Sequence, residues 1–273
     1  MRAPFALTLA WREGRSSAKR LATYMVSITI GVAALVAINS FRANVVRSVD
    51  AEAQNLLGAD LRLNSNTQFP DSVRALIDSL EKSDPKSIAG IVSTISIAVA
   101  PGGGVKLVQM RGVHGAYPIY GTMETQPADV WGTLSSGQKL LVEPSLLTQM
   151  GTRIGDTLQL GGMRFEISGV ITNLPTEVSF RNALGPRVYL SREMLDSTKL
   201  LTFGSIARYE SFIKMPDDAK LQRFVDTHHD LFRQSLIGFT TAREQAEQLA
   251  KALDTLTRFL GLVGLAALLL GGL

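Results

Sequence analysis

Twenty-one consecutive residues, Leu21–Phe41 (LATYMVSITIGVAALVAINSF), carry no ionisable side chain except Tyr24. As a helix this run rises roughly 31 Å, about the thickness of a bilayer hydrocarbon core. Lys19 and Arg20 close one end and Arg42 the other, and the single Gly31 is tolerated in a membrane helix. A cleaved signal peptide is the alternative. Its apolar region is shorter, roughly 7–15 residues, and ends in a small-residue cleavage site. The end of this run, VAINSFRANVV, offers no convincing site, so the reading is an uncleaved membrane anchor.

The charge distribution orients that anchor. Residues 1–20 carry five basic residues against Glu13 alone, and this +4 equals the formal charge of the whole chain. Residues 42–258 hold 23 basic and 23 acidic side chains, which cancel. A nucleic-acid binder spreads basic residues over a folded face; here they form a collar beside an apolar run, which argues against nucleic acid as a partner. Arg12, Arg15, Lys19 and Arg20 are the orienting residues, placing 1–20 in the cytoplasm and everything after Phe41 outside it. Phe5, Leu9 and Trp11 among these charges suggest a short helix on the inner membrane surface, with a frayed basic tail as the alternative.

A second uncharged run, Phe259–Leu273 (FLGLVGLAALLLGGL), ends the sequence. It spans roughly 22 Å as a helix, short of a full crossing. The expectation is a second membrane helix cut short, so that residues 1–273 are the first part of a larger protein.

Amphipathic stretches adjoin both runs. RANVVRSVDAEAQNLLGAD sets Val45, Val49 and Leu56 on one helical stripe, with Gly58 as a C-terminal cap. TAREQAEQLAKALDTLTRFL sets Leu249, Leu253 and Leu256 on another. Two readings stay open. The stripes pair as a stalk above the bilayer (about 42–57 and 241–258), or each packs on the folded core instead.

The 217 residues between the apolar runs suffice for a buried core. ADLRLNSN alternates as a strand, and PDSVRALIDSLEKSD reads as a helix beginning near Pro70. The segment from Ile88 to His114 reads as a hairpin turning at Gly102–Gly104. KLLVEPSLLTQMG predicts a strand and a short helix, and GDTLQLGGMRFEISGVI a hairpin turning at Gly161-Gly162. GPRVYLSREML predicts a strand, then a helix capped by Ser191 with Glu193 in its first turn. SIARYESFIKM predicts a strand and DDAKLQRFVDTHHDLF a helix. The expected class is α+β with a largely antiparallel sheet, in two lobes, the second (about 135–200) inserted into the first.

Chemistry-bearing patterns are sparse. His114, His228 and His229 lack the i, i+3 or i+4 spacing of ligands on one element. PGGGVK lacks a phosphate-loop pattern and precedes a strand; GTLSSG is not a nucleophile elbow. The absence of cysteine excludes disulfides, thiolate metal sites and lipid anchoring through cysteine. The expectation is no catalytic residue, no metal and no cofactor.

Five stretches in order, SITIGVAALVAINSF, LLGADLRL, MRGV…YPIYG, LVEPSLLTQMGTRIGDTLQLGGMRFEISGVI and GPRVYLS, resemble the MacB/FtsX/LolCDE-type ABC transporter permeases, the long YbbP-like ones most. The resemblance spans about Leu21 to Leu273, and Leu141–Leu160 is its strongest part. It implies a bacterial inner-membrane permease subunit with transmembrane helix 1 at 21–41, a two-lobed MacB-like periplasmic core domain at 42–258 and a truncated second helix at 259–273. It also implies a separate or fused ABC ATPase that binds the ATP, with its motion carried along the stalk. The expected cargo is a hydrophobic or lipid-linked molecule, with lipid, lipoprotein, peptide and drug all left open, as is a periplasmic partner. An extracytoplasmic sensory domain of a two-helix receptor and a membrane-anchored enzyme are the alternatives.

Overall fold

The computed structural model describes residues 53–173, 185–202 and 204–248, with single positions in the flanking segments. Glu52–Gln245 form one compact unit; Met1–Ala51 and Ala246–Leu273 form another. The described positions between residues 18 and 44, and between 250 and 263, have helical backbone. Among the described residues no helix is long and apolar enough to cross a membrane. The segments predicted to do so, 21–41 and 259–273, lie for the most part outside the described residues. Arg12, Arg15, Lys19 and Arg20 lie outside them, as do Val45, Val49, Leu249, Leu253 and Leu256; the side chain of Leu56 does too.

The first unit begins with a short helix, α1 (Ala53–Leu57). Gly58 ends it at φ 80°, donating its N–H to the Gln54 carbonyl at 2.7 Å. This is the left-handed cap for which glycine is favoured. Strand β1 (Leu61–Ser65) follows, burying Leu61 and Leu63. Helix α2 (Asp71–Ser83) starts after Pro70 and buries Val73. Strands β2 (Ile88–Val99) and β3 (Val105–Gly115) form the long hairpin, paired antiparallel from Ala89↔Gly115 to Val99↔Val105.

Next come β4 (Glu124–Gln126) and a 3-10 helix (Val130–Ser135). Strand β5 (Lys139–Val142) leads into α3 (Pro144–Met150), with Pro144 at the first helical position, where its missing N–H is harmless. Strands β6 (Thr157–Leu160) and β7 (Met163–Asn173) make the Gly161-Gly162 hairpin. Strand β8 (Arg187–Ser191) leads into α4 (Arg192–Ser197), where Ser191 Oγ accepts the Met194 N–H at 3.3 Å as the N-cap. Strand β9 (Ala207–Ile213), helix α5 (Asp218–Gln234) and strand β10 (Gly238–Thr241) complete the unit. Asp217 Oδ1 caps α5 by accepting the Lys220 N–H at 2.7 Å.

The strands form one sheet, ordered β10-β1-β9-β2-β3-β8-β5-β7-β4, with β6 bridging β7 to β2. That bridge closes a ring of six strands, β2-β3-β8-β5-β7-β6. Val108, Met110, Leu140, Val142, Leu158, Phe165, Ile167 and Val188 belong to the buried cluster that this ring carries. Burying each such side chain contributes about 1.5–3 kcal/mol. The other half is an open sheet. On it Leu61, Leu63, Ile88 and Ile213 pack with Val73 of α2 and with Val225 and Phe232 of α5. Ala59, Ala89, Ile91 and Phe212 belong to a separate buried cluster with Tyr117.

The sheet is largely antiparallel, in keeping with the sequence expectation; the parallel pairing of β3 with β8 and of β5 with β7 was not foreseen. Parallel pairing joins segments through long connections, so no local pattern announces it. Residues 135–200 also do not close on themselves: their strands complete a ring only with β2 and β3, so both halves share those strands.

Candidate functional site

The chain enters this unit through α1 and β1 and leaves it through β10. Both passages lie side by side, because β1 and β10 pair antiparallel with Leu61 opposite Thr241. The exit is firmly started. Thr241 Oγ1 accepts the Glu244 N–H at 3.2 Å, and Glu244 Oε2 accepts the Thr241 N–H at 2.9 Å. This reciprocal capping box begins helical backbone at residue 242.

Asp60, the residue between α1 and β1, ties the passages together. It is 5% exposed. Its Oδ1 accepts from Gln54 Nε2 at 2.8 Å. Its Oδ2 accepts from the Tyr120 hydroxyl and from the Met215 N–H, both at 2.8 Å. Its backbone N–H donates to the Ile213 carbonyl at 3.1 Å, and its carbonyl accepts the Ala242 N–H at 3.0 Å. One residue therefore holds α1, the loop after β3, the end of β9 and the start of the exit helix. Buried carboxylates need such donors, and hydrogen bonds to an ionised group are the stronger kind. The Lys214 ammonium lies 5.4 Å from the Tyr120 ring centroid. Burial, the hydrogen bond to Asp60 and the charge of Asp60 push the Tyr120 phenol well above its ordinary pKa.

A second polar joint lies in the ring. Arg187 at the start of β8 is 7% exposed, and its Nη1 lies 3.2 Å from Glu143 Oε1. The Glu143 N–H also donates to the Arg187 carbonyl at 3.1 Å. Next to it, Tyr189 is buried edge-on to Trp131, with centroids 6.0 Å apart, and the Arg111 guanidinium lies 5.8 Å from its ring. Burial chiefly, with Tyr117 and Glu143, raises the Tyr189 phenol pKa against the opposing pull of Arg111 and Arg187. Helix α4 lies against Gly112 of β3. A Cβ there would come within 2.6 Å of Leu195 Cδ2 and 3.4 Å of the Arg192 Cα, so only glycine allows this approach.

Four of the five stretches singled out in the sequence thus meet in pairs. Asp60 of LLGAD meets Tyr120 of YPIYG, and Glu143 of LVEP meets Arg187 of GPRVYLS. The three histidines each face a different partner. His114 Nε2 lies 3.1 Å from Glu81 Oε1, His228 Nδ1 donates to the Phe224 carbonyl, and His229 faces Asp230. Among the described residues no three His, Asp or Glu side chains could share a metal ion. Sequence reasoning missed the Asp60 junction and the capping box. For the box, Thr-x-x-Glu at 241–244 was a usable signal.

Residues 21–254 match the family described as MacB-like periplasmic core domain. The chain belongs to that family. Its MacB-like periplasmic core domain is the mixed α+β unit described above, and the family is the one the five stretches pointed to. The uncharacterized ABC transporter permease YbbP of Escherichia coli (strain K12) is 22% identical over 270 residues, covering 94% of this chain and 32% of YbbP. The chain therefore spans about a third of that relative's length. Two solved structures are similar. The periplasmic region of MacB from Actinobacillus actinomycetemcomitans has a TM-score of 0.47 at 14% identity, covering 73% of this chain and 97% of that one. The extracellular domain of the noncanonic ABC-type transporter YknZ from Gram-positive bacteria has a TM-score of 0.43 at 14% identity, covering 62% and 95%.

Proposed function

We propose that this chain is the membrane-anchored, periplasmic-domain part of an inner-membrane ABC transporter permease, and that its domain is moved as a body by the segments that enter and leave it. The observation that carries this reading is the adjacency of the two passages, Leu61 opposite Thr241, clamped by Asp60. A force along either flanking segment reaches β1 and β10 together through this junction. Exposed apolar side chains on helical backbone in both flanking segments, among them Met25, Val32, Phe259 and Leu262, support contact with lipid.

In this reading Arg12, Arg15, Lys19 and Arg20 keep the N-terminus in the cytoplasm, and residues 21–41 form the first membrane helix. Val45, Val49 and Leu56 pair with Leu249, Leu253 and Leu256 as the stalk, and residues 259–273 begin the second membrane helix. A cognate ABC ATPase binds and hydrolyses the ATP; this chain is not an enzyme. The cargo is a hydrophobic or lipid-linked molecule exported or extracted on the periplasmic side. Proteoliposomes holding the intact permease with its ATPase test the reading. ATP-dependent release of a lipid-linked reporter supports it. Stable complex formation with intact ATP turnover but no release of any such reporter argues against the transport role.

A further inference from the structure

A groove of about 250 Å³ runs over the helix-covered face of the sheet between α2 and the start of α4. Its floor follows from the strand register. Ser211 of β9 stands opposite Gly90 of β2, which stands opposite His114 of β3. In the next row Tyr209 stands opposite Val92, which stands opposite Gly112. Ile77 of α2 forms one wall and Arg192 of α4 closes the other.

Two features mark the groove as more than a packing gap. The first is Gly90. A Cβ there would make only ordinary contacts, 3.7 Å to the Glu210 carbonyl and 4.0 Å to the His114 Cβ. Nothing in the strand requires glycine at this position, unlike Gly112, and its missing side chain leaves open floor in a β-strand, where glycine is disfavoured. The second is Ser211. It is 3% exposed, lines the groove, and its Oγ has no hydrogen-bond partner among the described residues. Buried hydroxyls are normally satisfied, and an orphan beside a cavity points to an absent partner.

Six acidic or basic side chains line the groove; four of them have partners, and Asp78 and Glu210 are the other two. Glu81 faces His114 at 3.1 Å, Arg192 Nε donates to Asp196 at 2.9 Å, and Arg74 donates to the Phe69 carbonyl at 3.1 Å. The unmet buried group is a hydroxyl and not a charge. The volume is below the roughly 300–1,000 Å³ of pockets for drug-sized ligands.

We infer that this groove binds a small neutral amphipathic molecule, about two fused rings in size, whose apolar body lies over Gly90 and Val92 and whose one hydrogen-bonding group meets Ser211 Oγ. The inference does not rest on the proposed transport role, and the two can fail separately.

Indole is a suitable probe: neutral, bicyclic, with one N–H donor. The 273-residue chain in lipid nanodiscs is titrated with indole by saturation-transfer NMR, with empty discs subtracting partition into lipid. Saturable binding is expected. Gly90→Leu fills the floor and abolishes it. Ser211→Ala raises Kd roughly three- to tenfold, the loss of one hydrogen bond, while thermal stability holds or rises. Ser211→Ala keeps the test open should Gly90→Leu not fold. No saturable binding, or binding unchanged in Gly90→Leu or in Ser211→Ala, overturns the inference.

Discussion

The Tyr120 hydroxyl donates to Asp60 Oδ2 at 2.8 Å, joining the loop after β3 to the residue that leads into β1. Removing that donor with Tyr120→Phe lowers stability by about 1.5–3 kcal/mol, the range for a hydrogen bond to a charged group. Asp60→Ala strands the Gln54, Tyr120 and Met215 donors together, so its cost is larger, above about 3 kcal/mol. Urea unfolding of both variants gives the order. Equal midpoints for Asp60→Ala and Tyr120→Phe would show that the carboxylate is not the hub.

The Arg187–Glu143 pair is buried at the arginine and links β8 to the start of α3. Removing the carboxylate weakens the pairing of a buried guanidinium, so Glu143→Ala destabilises, by at most about 3–5 kcal/mol. The double substitution Glu143→Leu with Arg187→Met recovers much of that loss, because two apolar groups leave no buried charge. Thermal denaturation of both variants checks this: a double substitution no more stable than Glu143→Ala would contradict it.

Alkaline pH probes both joints. The phenols of Tyr120 and Tyr189 are raised, the first by burial and Asp60, the second chiefly by burial. A raised phenol means that the folded state holds its proton after the unfolded chain has lost it, so νU falls below νN. The stabilisation is fully present below the unfolded pKa of about 10 and declines as pH rises beyond it. Unfolding free energy therefore falls above about pH 10, and Tyr120→Phe and Tyr189→Phe each flatten that fall. Denaturation midpoints across pH 9–11 follow the slope, where pH 9–11 brackets the reference value of roughly 10.

Much of the local structure was legible in the sequence. Leu61 and Leu63 alternate because one face of β1 is buried, and Ser191 reads as a helix cap because its hydroxyl has an N–H to meet. The short strands β4 and β10 were not legible. Each is three or four residues long and exists only through its partner, β7 or β1. The Asp60 junction was hidden for a similar reason: its partners lie at 54, 120, 213, 215 and 242, and no local pattern encodes such distances. Gly112 looked like any strand glycine until α4 was seen against it.

That glycine makes a sharp steric test. Gly112→Ala places a Cβ within 2.6 Å of Leu195 Cδ2 and 2.9 Å of its Cβ, so α4 must shift. The expected loss is about 1–3 kcal/mol, as for overpacking elsewhere. Gly102→Ala at the hairpin tip, where a Cβ meets nothing within 4 Å, is the matched control and leaves the thermal midpoint unchanged.

The central claim is that the domain moves through the junction at Asp60. Residues 1–273 contain no cysteine, so Gly102→Cys at the hairpin tip is the one labelling site once any cysteines elsewhere in the complex are replaced. A dye there, with acceptor-labelled lipids, reports the tip's distance from the membrane by energy transfer in the intact permease reconstituted with its ATPase. ATP is predicted to change the transfer efficiency when Asp60 is present. In Asp60→Ala, folded by its circular dichroism and with ATP turnover retained, that change is predicted to be lost. An ATP-driven change of the same size in Asp60→Ala would contradict the account.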